Sequence, residues 1–115
     1  MPRDSRVYLD DILEAVGKIE RYVDGYTKDD FLKDGRTRDA TLRNLEIIGE
    51  AVKNIPSGVL EKNPDIEWKK IMGLRDILAH AYFGVNLEVV WDVVKNRLPE
   101  LKTSVSRMMA RWNEP

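Results

Sequence analysis

Apolar residues recur at three- and four-residue spacing along almost the whole chain, which is the period of amphipathic helices. In the first such segment, about residues 6–24, one stripe collects Leu9, Ile12, Leu13, Val16, Ile19 and Val23. Asp4 or Ser5 can cap the start of this helix, and Gly25 is placed to end it. No segment shows a convincing pair of strands. The pattern therefore predicts an all-α fold.

The next apolar stretches predict a short helical turn and a second long helix. Thr27 and Asp30 form a capping-box pattern just before Phe31. Thr37 is interpreted as the N-cap of a helix over about residues 38–55, which ends where Pro56, Ser57 and Gly58 interrupt the pattern.

Two further helices are predicted in the second half of the chain. One spans about residues 66–83, and the other begins after Asn86 and continues to about Trp112. Because proline lacks the backbone donor, Pro99 should kink or divide the last helix. Together these elements predict an up-and-down bundle of four to five helices.

Composition narrows the possible functions. The 115 residues fit one domain over residues 1–115, and the net charge of −1 gives no general attraction to polyphosphate, so any contact with RNA must be local. With no cysteine and one histidine, we expect neither a bound metal nor a cofactor. No apolar run approaches the roughly 20 residues of a membrane span, and the N-terminus does not resemble a signal peptide. We therefore expect a cytoplasmic protein without membrane association.

The third predicted helix carries the candidate chemistry, because its ionisable residues lie away from its core stripe. At about 100° per residue, Asp76 and His80 are four residues apart and within reach, so a carboxylate can orient an imidazole. Arg75 and Tyr82 share a second edge, about 20° apart. The stripe expected to face the core contains Ile71, Leu74, Ile77, Leu78 and Ala81, and Met72, Ala79 and Phe83 lie between the two polar edges.

A helix with two packing surfaces suggests a partner subunit, and a second copy of the chain is the simplest one. A two-fold axis near this helix would bring Arg75 and His80 of two chains together. Two imidazoles could then act as base and acid while an arginine binds phosphate, which is sufficient for RNA cleavage without a metal. The alternatives are that His80 is an ordinary helix residue, that Arg75 only pairs with Asp76 or Glu50, and that Tyr82 is a solvated aromatic.

The residues from Arg75 to Tyr82, RDILAHAY, also match the Arg-x-x-x-x-His-x-Tyr motif of the HepT-like toxins of the HEPN superfamily. The likeness extends to TRDATLRNLEIIGEAVK, from Thr37 to Lys53, and to NPDIEWKKIMGLRD, YFGV, Val90-Trp91 and Leu98-Pro99. It covers nearly the whole chain, and this order of motifs is specific. The chain therefore resembles a HepT-like protein.

The resemblance implies a homodimeric HEPN bundle that is a metal-independent ribonuclease, with Arg75 and His80 of both chains lining an RNA cleft and Asp76 in support. Many family members have asparagine at that position, so we expect the charge of Asp76 to raise the pKa of His80 or to compete for Arg75. The family pattern also implies an MNT-type nucleotidyltransferase antitoxin that neutralises the toxin by transferring AMP from ATP to Tyr82. Two alternatives remain: a non-catalytic HEPN dimer that serves as a scaffold or binding subunit for a nucleotidyltransferase, and a plain dimerisation module.

Other conspicuous residues are given structural interpretations. Glu50 is expected to hydrogen-bond into the third helix or to orient Arg75, and Trp68 and Trp91 to anchor packing. Gly49 and Gly73 suggest a close approach of the second and third helices. The Lys69-Lys70 pair is expected to be a solvated flank.

Overall fold

The computed structural model of the chain describes residues 4–80 and 86–112, and for residues 75–80 it describes the backbone alone. Every regular element in this part of the chain is helical, which confirms the all-α prediction. Four helices are long: α1 (Ser5–Tyr22), α3 (Gly35–Lys53), α5 (Trp68–His80) and α7 (Leu98–Trp112). Three are short: α2 (Lys28–Lys33), α4 (Ser57–Glu61) and α6 (Leu87–Asp92). The described residues thus form more helical segments than the four to five predicted, because turns expected to be irregular are themselves helical.

The start of α1 and the whole of α2 follow the predicted capping. Asp4 caps α1 by accepting a hydrogen bond from the backbone N–H of Arg6 at 2.9 Å. Thr27 and Asp30 form the expected capping box at the start of α2, through reciprocal bonds of 3.0 and 3.1 Å. Gly25 has φ of +75° and turns the chain after α1. The helix itself ends at Tyr22, two residues earlier than predicted.

The prediction that Thr37 is the N-cap of the second long helix is wrong. Asp34 caps α3, and its carboxylate accepts from the backbone N–H of Thr37 at 3.1 Å and from its hydroxyl at 2.7 Å. The hydroxyl of Tyr26 donates to the same carboxylate at 2.6 Å. This hydrogen bond, with those from Thr37, lowers the pKa of Asp34 to about 2. The helix therefore begins at Gly35, in a polar stretch that has little hydrophobic period.

Two further differences concern α4 and the last helix. After Pro56 the chain forms the short helix α4, which was not predicted because five residues are too few to show a period. The next helix begins after Asn86, as predicted, and the side chain of Asn86 caps it as α6. The irregularity expected near Pro99 is a π-helical turn over Val93–Arg97, just before α7.

One hydrophobic core joins the long helices. In the described residues, α1 packs against α3 and α7, α3 also packs against α5, and α2 packs against α3 and α6. The interior side chains are mostly aliphatic: Leu9, Ile12, Val16, Ile19, Leu45, Ile48, Val52, Leu98, Leu101 and Val105 are almost fully buried. Of the predicted α1 stripe, Leu13 alone is only partly buried. None of the described helices is long and apolar enough to cross a bilayer.

Candidate active site

The predicted motif lies on α5 and in the residues that follow it. The backbone is helical from Trp68 to His80, so positions 75, 76 and 80 belong to one continuous helix, as the sequence predicted. The side chains of Arg75, Asp76 and His80 lie outside the described residues, and so does the whole of Tyr82. Their mutual contacts therefore stay a prediction.

The N-terminal end of α5 is firmly anchored. Trp68 is only 7% exposed, and its indole Nε1 donates to the backbone oxygen of Asn63 at 2.8 Å. Trp91, on α6, packs against Phe31 with ring centroids 5.3 Å apart. Both tryptophans are packing anchors, as predicted. Lys70 pairs with Glu67 at 2.6 Å, and both side chains are exposed, which agrees with a solvated flank.

Helix α3 supports α5 from one side, and it contains buried polar residues that the sequence analysis did not single out. The hydroxyl of Thr41 is fully buried and has no hydrogen-bond partner among the described residues. Asn44, also buried, donates from Nδ2 to the backbone oxygen of Ala40 at 2.9 Å. The signal was present, because Thr41 and Asn44 occupy the helical stripe that continues through Leu45 and Ile48.

On another side of α5 lies an open groove of about 440 Å³, bounded by α6, the π-helical turn and α7. We call this space the α5–α7 groove. Its apolar lining includes Ile71, Leu74, Val89 and Val93. Ile71 and Leu74 were predicted to face the core and are only partly buried, because in a single chain they border this groove.

Charges of both signs surround the α5–α7 groove. Among its described lining residues, the carboxylates of Asp65, Glu67, Asp92 and Glu100 outnumber the cations of Lys70 and Arg97. The hydrogen bond from Lys70 lowers the pKa of Glu67. The rim therefore carries more negative than positive charge at neutral pH, which disfavours binding of a polyanion.

The two helix glycines singled out from the sequence have different surroundings. Gly49, on α3, is buried, and its predicted close approach to α5 stays a prediction. Gly73, on α5, borders the α5–α7 groove, and no described atom would lie within 4 Å of a Cβ placed there. Gly73 therefore leaves this surface of α5 open. The predicted close approach of Gly73 to α3 is wrong for the described residues.

A second groove, between α1 and α3, contains Glu50. Its volume is about 350 Å³, and its lining includes Tyr8, Asp11, Arg43 and Glu46. Arg43 pairs with Glu46 at 3.7 Å. The predicted interaction of Glu50 with Arg75 falls outside the described side chains. Across the described parts of the chain, no group of three or more histidine, aspartate or glutamate side chains is placed to hold a metal ion.

Comparison with known proteins gives a consistent set of matches. A family model described as "Ribonuclease HepT-like" matches residues 12–108. "Probable ribonuclease HepT" of Thermococcus cleftensis is 44% identical over 108 residues, which cover 94% of this chain and 98% of that protein. "Putative RNase MJ0127" of Methanocaldococcus jannaschii is 48% identical over 100 residues, 86% of this chain and 83% of that protein. "Putative RNase TTE0752" of Caldanaerobacter subterraneus subsp. tengcongensis is 42% identical over 106 residues, 92% and 95% of the two chains. No solved structure gives a significant match.

Proposed function

Because this chain belongs to the HepT-like ribonuclease family, we propose that it is the toxin of a toxin–antitoxin pair and cleaves RNA without a metal ion. The observation that carries the proposal is the extent of the family match, which includes every residue from Arg75 to Tyr82. The family assignment made from the sequence is confirmed. The names of the relatives also agree with an RNA-cleaving enzyme.

The proposed reaction is attack by a ribose 2′-hydroxyl on the adjacent phosphate. One His80, in its neutral form, takes the 2′-hydroxyl proton, and a protonated His80 gives a proton to the departing 5′-oxygen. Arg75 stabilises the charge that develops on the phosphate oxygens. Asp76, one helical turn before His80, orients the imidazole and favours its protonated form. An unperturbed imidazole with pKa near 6.5 has both forms populated near neutral pH, which suits this division of roles.

The helical register supports a composite site across a homodimer. Positions 75 and 80 of a continuous α-helix are about 140° apart around its axis, so one copy does not place both side chains on one narrow face. A two-fold axis beside α5 would bring Arg75 of one copy close to His80 of the other.

The surface of α5 supports this arrangement. Met72, which the helical register places between Arg75 and His80, is only partly buried in the single chain. We propose that a second copy covers this side of α5.

Control by an antitoxin also fits the motif. Transfer of AMP from ATP to the hydroxyl of Tyr82 would form a phosphodiester and release pyrophosphate. Because Tyr82 is two residues after His80, the adenylate would place a bulky anion beside Arg75 and compete with the RNA phosphate. We therefore propose an MNT-type nucleotidyltransferase as the partner.

The experiment that tests the proposal is RNA cleavage by the purified protein in EDTA, beside His80→Ala and Arg75→Ala variants. Lys53→Ala is the control for removal of a cation, because Lys53 is exposed and lies on a different helix, α3. We expect chelator-resistant cleavage that falls by at least about 100-fold in both motif variants and is unchanged in the control. Circular dichroism and sedimentation must show that each variant folds and keeps the oligomeric state of the wild type.

Cleavage that survives both motif substitutions, or that stops in EDTA, would contradict the proposed mechanism. Absence of cleavage on every RNA tried would instead favour the alternative of a non-catalytic scaffold for a nucleotidyltransferase.

A further inference from the structure

A third groove lies between α4 and the last turn of α7. Its volume is about 350 Å³, and it is lined by Val59, Lys62, Asn63, Met108, Arg111 and Trp112. We call it the α4–α7 groove. It shares no lining residue with the α5–α7 groove, so it is a separate surface of the protein.

The α4–α7 groove combines an apolar floor with an exposed indole. Met108, at 3% exposed, is part of the hydrophobic core and closes the bottom of the groove, while Trp112 beside it is 38% exposed. A half-covered indole that faces a groove leaves an aromatic surface available to a flat ligand. Nucleobases are such ligands, and stacking of bases on aromatic side chains is common in proteins that bind single-stranded nucleic acid.

The charge of this groove distinguishes it from the other two. Its described lining contains the cations of Lys62 and Arg111 and no carboxylate. Arg107, one turn earlier on α7, is paired with Asp65 at 3.6 Å and so is already partly neutralised. The protein as a whole has a net charge of −1 and gives no general attraction to polyphosphate. A phosphate backbone therefore needs a local pair of cations, such as the one in this groove.

The length of α5 gives a scale for the RNA that could reach from the groove to the motif. Asn63 lines the groove, and its backbone oxygen holds the indole of Trp68 at the first residue of α5. His80 is the last residue of the same helix. The 12 residue steps between Trp68 and His80 correspond to about 18 Å. About five stacked nucleotides, at roughly 3.4 Å each, would cover this distance.

We propose that the α4–α7 groove is a second RNA-binding site that holds single-stranded RNA several nucleotides away from the cleaved bond. A base stacks on Trp112, and Lys62 and Arg111 contact the flanking phosphates. The proposal rests on RNA being the substrate, as proposed above, and adds a determinant of substrate length. Short RNA cannot occupy both places, so the groove favours longer substrates.

Binding tests the proposal independently of cleavage. A fluorescently labelled 12-nucleotide single-stranded RNA is titrated with full-length protein in EDTA, in the His80→Ala background so that the RNA stays intact. We expect Trp112→Ala to weaken binding by at least about fivefold and Trp112→Phe, which keeps an aromatic ring, to recover most of the loss. The double variant Lys62→Ala with Arg111→Ala should reduce the slope of log K against log salt by about 1.4. Lys53→Ala, which removes an exposed lysine from α3, serves as the control for a change of total charge.

Several outcomes would overturn the proposal. They are unchanged RNA affinity in Trp112→Ala, an unchanged salt slope in the double variant, an equal loss of affinity in Lys53→Ala, and no measurable RNA binding by the parent protein. A changed oligomeric state in Trp112→Ala with RNA affinity retained would overturn it in favour of a protein interface. If RNA cleavage fails but these binding changes appear, the proposed chemistry is wrong and the second site stands.

Discussion

Replacing Phe31 by alanine should remove a large part of the stability of the fold. Phe31 is 0% exposed, although it belongs to a helix of only six residues, and its ring lies 5.3 Å from that of Trp91 at an interplanar angle of 37°. A buried phenylalanine removes about 150–250 Å² from water. At about 25 cal/mol per Å², that burial stabilises the folded state by about 4–6 kcal/mol. We therefore expect Phe31→Ala to lower the free energy of unfolding by about 4 kcal/mol.

Urea unfolding, followed by circular dichroism at one protein concentration, measures this loss. With a typical slope of roughly 1.5 kcal/mol per molar urea, the midpoint should fall by about 2–3 M. Phe31→Leu keeps most of the apolar volume and should cost about 1.5 kcal/mol, because only the ring contact is lost. Val7→Ala is the control, since Val7 is 37% exposed on α1 and should change stability by less than about 0.5 kcal/mol.

Two results would refute this reasoning about Phe31. One is a loss below about 1.5 kcal/mol in Phe31→Ala, which would mean that α2 is not held by this side chain. The other is an equal loss in Phe31→Leu and Phe31→Ala, which would assign the stability to the aromatic ring alone.

The remaining predictions concern the turns between helices. The pKa of Asp34 is lowered in the folded state to about 2, so its stabilising effect is present above about pH 4 and is lost as the pH falls toward 2. Asp34→Asn should therefore unfold at lower urea than the wild type at pH 7, and the difference between the two midpoints should shrink as the pH falls from 4 to 2; a constant difference would contradict the assignment. Gly25→Ala should destabilise the protein by about 1–2 kcal/mol because its φ is +75°, although no described atom would crowd the methyl group. Gly58→Ala, equally uncrowded but helical, should be neutral or stabilise by up to about 1 kcal/mol, and an equal thermal shift in both variants would disprove the backbone explanation.

The sequence predicted the long helices well because their apolar periods are long and their caps are polar side chains with a known geometry. The stripe of α1, its Asp4 cap and the Thr27–Asp30 capping box are all present. The start of α3 was misplaced because Asp34 and Thr37 can each act as a cap. In the structure the cap is Asp34, whose carboxylate also accepts a hydrogen bond from the hydroxyl of Tyr26, eight positions earlier.

The candidate site was predictable as a set of positions on one helix, and its surroundings were not. Helical period placed Arg75, Asp76 and His80 on α5, and the backbone agrees. Period cannot tell whether Ile71 and Leu74 face a closed core or an open groove, because both environments favour apolar side chains. The α4–α7 groove combines Lys62 with Arg111 and Trp112, about 50 positions along the chain, so no local pattern could indicate it.

The π-helical turn at Val93–Arg97 sets the rotation of α7 relative to α6 around the helix axis. A wider turn accommodates one residue more than an α-helical turn, so it offsets all later side chains by about 100° around the axis. With this offset, α6 can present Trp91 to Phe31 while α7 presents Leu101 and Val105 to the interior. Converting the turn to a regular α-helix without removing a residue would rotate the apolar face of α7 by about 100°, whereas deleting one residue would regularise the helix and leave that face toward the interior. The turn therefore absorbs one residue more than a regular helix would hold, while α7 keeps its apolar face on the core.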